Sequence, residues 1–152
     1  VPTLTPAGAP SLPDLQVVDS AWEERPALRQ DGLCLPLDGG RYLTMVGNLG
    51  MTLFQGAKFA AAEPHLRRAA ELSRLVLDPR DPTGPKIRFN HAACQGAMKV
   101  WDTAKPVLLA EYETLEGMLP AGHAELGKMR RTLADLHQRN GEPEAAAAWR
   151  AR

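Results

Sequence analysis

Residues 48–69 read NLGMTLFQGAKFAAAEPHLRRA, and residues 90–109 read NHAACQGAMKVWDTAKPVLL. When the chain is shifted by 42 residues, Asn48 falls on Asn90 and Pro64 falls on Pro106 without a gap. The same shift aligns Ala62 with Ala104 and Ala146, Leu66 with Leu108, Leu77 with Leu119, Arg88 with Arg130, and Ala92 with Ala134. Periods of about 20 to 50 residues are typical of stacked supersecondary units. The sequence therefore predicts a repeat array from about residue 41 onward.

Each period carries the pattern of two helices. Residues 41–55 repeat small or apolar side chains every three or four positions, which is the spacing of one helix face. A second helix is predicted from about Phe59 to Leu77, with Pro64 in its first turn, where proline does little harm. The proline-rich residues 78–85 then end this helix.

Two further helix pairs follow the same plan. The second pair is predicted over residues 86–98 and then from a capping Asp102 to about Leu119. The third pair is predicted over residues 121–140 and 142–152, with the dipeptide Asn140-Gly141 supplying a left-handed turn between its helices. The repeats therefore span about 41–82, 83–124 and 125–152.

The N-terminal part differs in composition. Residues 1–13 contain four prolines, and residues 31–40 are rich in turn-forming aspartate and glycine. Residues 1–40 are therefore predicted to form an extended tail or linker, with one short helix over 19–30. Cys34 in this tail and Cys94 in the repeats could pair on counting alone, but nothing in their spacing requires a disulfide.

Composition excludes several functional classes. Lysine plus arginine equals aspartate plus glutamate, at 18 each, so no strong basic field predicts nucleic-acid binding. No apolar run approaches the length of a membrane span, so no membrane insertion is expected.

The repeated stretch resembles the tetratricopeptide repeat in its 42-residue form, which occurs in kinesin light chains and many bacterial signalling proteins. The first unit matches the family pattern at Leu49, Gly50, Leu53, Phe59, Ala62, Leu66 and Ala69. The second unit matches at Ala92, Trp101, Ala104 and Leu108, and the third matches at Leu133, Ala134, Gly141 and Ala146. The second unit departs from the pattern at His91 and Gln95. The resemblance implies an all-α superhelix of about three helix pairs behind the proline-rich tail.

In this family the first helices of successive pairs line a concave groove that binds peptides or partner segments. Carried over by position, the groove residues are Thr44, Gly47, Met51, Gln55, Lys86, Phe89, Asn90, Ala93, Lys128, Arg131, Asp135 and Gln138. Co-chaperone members clamp a C-terminal carboxylate, but here only Asn90 and Lys128 match that clamp, so this recognition is not expected. For any single charged residue of the set, a solvated surface is the competing interpretation.

No catalytic or metal-binding pattern is present. The four histidines form no HExxH motif and no pairing with cysteine at metal-ligand spacing. Helix capping or plain exposure is expected for the histidines, with His123 at the position that Asp81 holds one repeat earlier. Cys94, among alanines, is expected to be a buried free thiol.

The sequence thus predicts a non-catalytic scaffold for a protein or peptide partner, without cofactor or metal, and it leaves self-association open. Two alternatives remain. The chain could be a regulatory or sensory C-terminal module of a larger enzyme such as a bacterial protein kinase, or a self-capped structural subunit of an assembly. The resemblance favours a cytoplasmic location, whereas the start at Val1 and the prolines suit a mature exported protein.

Overall fold

A computed structural model describes residues 39–152, and residues 40–152 form one compact unit. All regular structure in this part of the chain is helical, which confirms the predicted all-α class. The six helices are α1 Gly39–Gln55, α2 Phe59–Val76, α3 Thr83–Ala97, α4 Trp101–Met118, α5 Ala124–Arg139 and α6 Pro143–Ala151. The predicted proline-rich tail, its short helix at 19–30 and Cys34 lie outside the described residues.

The period of 42 residues is present in the backbone as well as in the sequence. The helices α2, α4 and α6 begin 42 residues apart, and the helices α1, α3 and α5 end 42 residues apart. The three connections between these helices therefore have the same length. The described residues form three consecutive helix pairs, α1–α2, α3–α4 and α5–α6.

The three connections also have the same geometry. Ala57, Lys99 and Gly141 each adopt a left-handed backbone, with φ of 57°, 69° and 82°. In each turn the next amide donates to the carbonyl oxygen five residues earlier, at 2.9, 3.0 and 2.9 Å. This is the Schellman arrangement, which satisfies carbonyl groups at the end of the preceding helix. The turn predicted at Asn140-Gly141 is confirmed, with Gly141 as its left-handed residue.

Two helix starts are set by side chains that accept backbone N–H groups. The Asp81 carboxylate accepts the amide of Thr83 at 2.8 Å, so α3 begins three residues before the predicted Lys86. One repeat later, His123 Nδ1 accepts the amide of Glu125 at 3.2 Å, which confirms the capping role expected for this histidine. Both contacts satisfy donors that the first helical turn leaves without a partner.

Two other sequence-based expectations were wrong in detail. Asp102 does not cap α4, because it lies inside the first turn and the cap position is Val100. Pro64 is the sixth residue of α2, beyond the first turn, and Pro106 has the same position in α4. Proline at this position leaves one carbonyl of the first turn without its helical donor.

Small residues bring the two helices of a pair together. Ala62, Ala104 and Ala146 occupy equivalent positions in α2, α4 and α6, and each is 0% exposed. In the first pair the approach is closest at Gly50, where an added Cβ would lie 2.8 Å from the side chain of Leu66. Such a distance is well inside van der Waals contact, so this position needs glycine or a shift of Leu66.

The largest apolar cluster lies in α3, α4 and α5. Its buried members are Phe89, Ala92, Ala93, Trp101, Ala104, Leu108, Tyr112, Leu115, Leu126, Met129, Leu133 and Leu136. Two smaller clusters connect α1 with α2 and α2 with α3. The second and third helix pairs therefore share one core.

The left-handed turns provide a test of this geometry. Ala57→Gly is expected to raise the free energy of unfolding by roughly 1 kcal/mol, because glycine adopts this conformation without a Cβ penalty. Gly141→Ala is expected to lower it by a similar amount. Urea unfolding followed by circular dichroism measures both changes. The control Ala110→Gly, in the exposed middle of α4, should cost about 1 kcal/mol; an equal loss in Ala57→Gly would contradict the turn assignment.

Candidate functional site

The residues predicted to bind a partner lie in three rows, one row of side chains along each of α1, α3 and α5. Thr44, Lys86 and Lys128 are separated by 42 residues and occupy the same position in their helices, and none of the three is buried. The predicted residues that are exposed are Thr44, Gln55, Lys128, Arg131, Asp135 and Gln138; those that are half-buried are Gly47, Met51, Lys86 and Asn90. Ten of the twelve predicted positions are thus accessible.

Phe89 and Ala93 are the exceptions, and their prediction as surface residues was wrong. Phe89 is 2% exposed and Ala93 is 1% exposed. Both belong to the apolar cluster of α3, α4 and α5, because α3 is covered by helices on more than one side. Their side chains therefore stabilise the fold and do not reach a partner.

The charges of this surface are partly neutralised by one carboxylate. Glu125 lies 3.2 Å from Lys86 Nζ and 3.8 Å from Lys128 Nζ. Asp135 lies 3.9 Å from the guanidinium of Arg150, and both of these side chains are largely exposed. Ion pairs with such exposure contribute little to stability and rearrange easily. The Lys86–Glu125 pair joins α3 to α5.

One face of α1 is apolar and exposed where the equivalent face of α5 is buried. Met45 and Leu49 are 53% and 48% exposed, whereas their counterparts Met129 and Leu133 are 3% and 0% exposed. The difference follows from position in the array, because Met129 and Leu133 belong to the cluster that α5 shares with α4.

A polar cluster around Glu142 was not anticipated from the sequence. The Glu142 carboxylate accepts a hydrogen bond from Trp101 Nε1 at 3.0 Å and from Lys105 Nζ at 2.8 Å. It also lies 2.7 Å from His137 Nδ1. Trp101 and Lys105 belong to α4, His137 belongs to α5, and Glu142 precedes α6. One side chain therefore joins three helices.

The electrostatic consequence is a strongly acidic carboxyl group. The hydrogen bond from Lys105, followed by those from Trp101 and His137, lowers the pKa of Glu142 to about 2. Charged donors favour the ionised form more than partial burial opposes it. Glu142 therefore stays ionised at pH values well above 2.

His137 corrects the expectation of capping or plain exposure for the histidines. It is 2% exposed, its ring lies edge-on to Trp101 with centroids 5.0 Å apart, and its Nε2 has no hydrogen-bond partner among the described residues. His91 is also not free on the surface, since its Nε2 lies 3.2 Å from Glu63. The sequence signal that could have revealed the Glu142 cluster was the 42-residue register, because it places Glu142 where the other turns have Lys58 and Val100.

The thiol of Cys94 is not activated as a nucleophile. Its thiol is free and buried, as predicted, and it donates to the Phe59 carbonyl oxygen at 3.3 Å. Burial, reinforced by the nearby Glu63 carboxylate, raises the pKa of Cys94 to about 11. A neutral thiol is neither a good nucleophile nor a good metal ligand.

Between Gly39 and Arg152, no cluster of three or more histidine, cysteine or acidic side chains is placed to hold a metal ion. None of the helices in that range combines the length and the apolar composition that crossing a bilayer requires. Comparisons of the chain with protein-family models, with curated proteins and with solved structures give no match.

The Glu142 cluster leads to a pH-dependent prediction. Glu142→Gln is expected to lower the free energy of unfolding by about 1–2 kcal/mol at pH 7, because hydrogen bonds to a charged group are lost. Since the pKa of Glu142 is lowered to about 2 in the folded state, its contribution is complete above about pH 4.5 and is lost as the pH falls towards 2.

Urea unfolding at pH 7 and pH 3 measures this difference. The control Glu144→Gln removes an exposed carboxylate from the first turn of the same helix and should have a much smaller effect. A difference between wild type and Glu142→Gln that grows as the pH falls would contradict the assignment.

Proposed function

We propose that this chain is a non-catalytic interaction scaffold of the tetratricopeptide-repeat type. In this proposal α1, α3 and α5 present rows of side chains to a peptide or to a segment of a partner protein. The observation that carries the proposal is the single register of 42 residues, which holds in the sequence, in the helix ends and in the turn geometry.

The packing of the helix pairs supports the assignment to this type of repeat. The positions at which the family pattern requires small residues are Gly50, Ala92 and Ala134 in the first helices and Ala62, Ala104 and Ala146 in the second helices. All six are buried in the structure. Stacked pairs of this kind leave one side of each first helix without a packing partner, which makes an extended surface available for binding.

The chemistry of the rows suits recognition of a polar or backbone-rich segment. Asn90 is half-buried, and its side-chain amide offers both donors and an acceptor. Lys128 and Arg131 add long cationic side chains on α5, while Met51 contributes an adaptable apolar contact on α1.

The environments of the potential nucleophile and the histidines favour a binding role over a catalytic one. Cys94 is neutral and buried, His137 is sealed inside the polar cluster, and His91 is paired with Glu63. Each of these groups is used for packing or for a contact between helices. In this proposal, binding of a partner therefore depends on shape complementarity and hydrogen bonding.

Selection of peptides from a random phage-displayed library on the full chain tests this proposal. Binding of a selected peptide is then measured by fluorescence polarisation with Asn90→Ala, Lys128→Ala and Arg131→Ala. At least one of the three is expected to weaken binding about fivefold or more, since interface residues that matter cost over about 1 kcal/mol when truncated.

The matched controls are Lys58→Ala and Arg74→Ala, which remove the same kinds of charge from the exposed turn after α1 and from α2. These variants should bind the selected peptide as the wild type does. Equal losses in the controls, or binding of the selected peptides that none of the three test substitutions weakens, would contradict binding at this surface.

A further inference from the structure

The last helix, α6, contributes little to the apolar core. It has nine residues, and Ala146 is its only buried side chain, while Trp149 is half-buried. None of the buried members of the large cluster in α3, α4 and α5 comes from α6. The contribution of α6 to this core is limited to Trp149, which packs against the cluster, and to Ala146 at the crossing with α5.

Specific polar and aromatic contacts attach α6 to α4 and α5 at its two ends. At its start, Glu142 binds Trp101 and Lys105 of α4 and His137 of α5. At its end, the Trp149 ring packs edge-on against Tyr112, with centroids 5.1 Å apart. Arg130 Nη1 also donates to the carbonyl oxygen of Arg152 at 3.1 Å.

Between these two ends, α6 packs along α5 through Ala146, which is 0% exposed, and the polar contact there is weak. Arg150 and Asp135 lie 3.9 Å apart, and both side chains are more than half exposed. The remaining residues of α6 are mostly alanines. A helix of nine residues is too short to be stable alone in water, so α6 would unfold when both attachments open.

We propose that α6 is a releasable strap, which detaches from α4 and α5 and unfolds while α1 to α5 remain folded. The Glu142 contacts and the Trp149 contact hold it in place. Its release uncovers an aromatic surface made by Trp101, Tyr112 and His137, which the strap partly covers in the closed state. The strap is thus a conformational device at one end of the array, and it does not depend on the proposed function.

Amide hydrogen exchange of the full chain, followed by mass spectrometry at pH 7, tests the proposal. In the wild type, peptides from α6 are expected to exchange at least about tenfold faster than peptides from α3 and α4, because local opening costs less than global unfolding. Glu142→Gln and Trp149→Ala are each expected to accelerate exchange in α6 by about tenfold or more. Exchange in α3 and α4 should remain at least about tenfold slower than exchange in α6 in both variants.

Two controls separate release of the strap from general destabilisation. Glu144→Gln and Arg150→Ala change exposed side chains of α6 and should leave its exchange close to that of the wild type. Equal exchange of α6 and α3 in the wild type would overturn the proposal. So would no acceleration in α6 by either attachment variant.

Discussion

The close approach of the two helices in each pair is the constraint on which the rest of the described structure depends. Ala62, Ala104 and Ala146 sit where the helices cross, and no solvent reaches them. A larger side chain at such a crossing would separate the helices and misalign every contact that follows along the chain. Because the crossing recurs every 42 residues, the small residues at these positions set the geometry of all three pairs.

This crossing requires a tight turn between the two helices, and the left-handed backbone of that turn costs conformational free energy. Each connection reverses the chain through one left-handed residue, which is glycine only at position 141. Ala57 and Lys99 adopt the same conformation although it is unfavourable for residues with a Cβ. They are held there by the Schellman hydrogen bonds and by packing of the helices on either side. In Lys99 the ammonium group also donates to the Arg139 carbonyl oxygen, which ties the second turn to the third.

The sequence predicts the periodic features well, because they depend on local spacing. The all-α class, the three helix pairs and the turn at Asn140-Gly141 follow from residue patterns alone. The buried position of Phe89 could not be predicted in this way, since it depends on how many helices surround α3. The same holds for His137, whose burial requires Trp101 and Glu142 to meet in space. The start of α3 was predicted three residues too late, because Asp81, whose carboxylate accepts the Thr83 amide, lies in a proline-rich segment that predicts only a loop.

The register itself does not decide which contacts a residue makes. Arg88 and Arg130 are identical and 42 residues apart, yet Arg88 binds Glu111 within its own pair, at 2.6 Å. Arg130 instead donates to the Tyr112 hydroxyl in the preceding pair, at 2.8 Å. Identical residues at equivalent positions therefore need not make equivalent contacts. Chemistry that is particular to this chain also lies where equivalent positions differ, as at Glu142, where the other two turns have Lys58 and Val100.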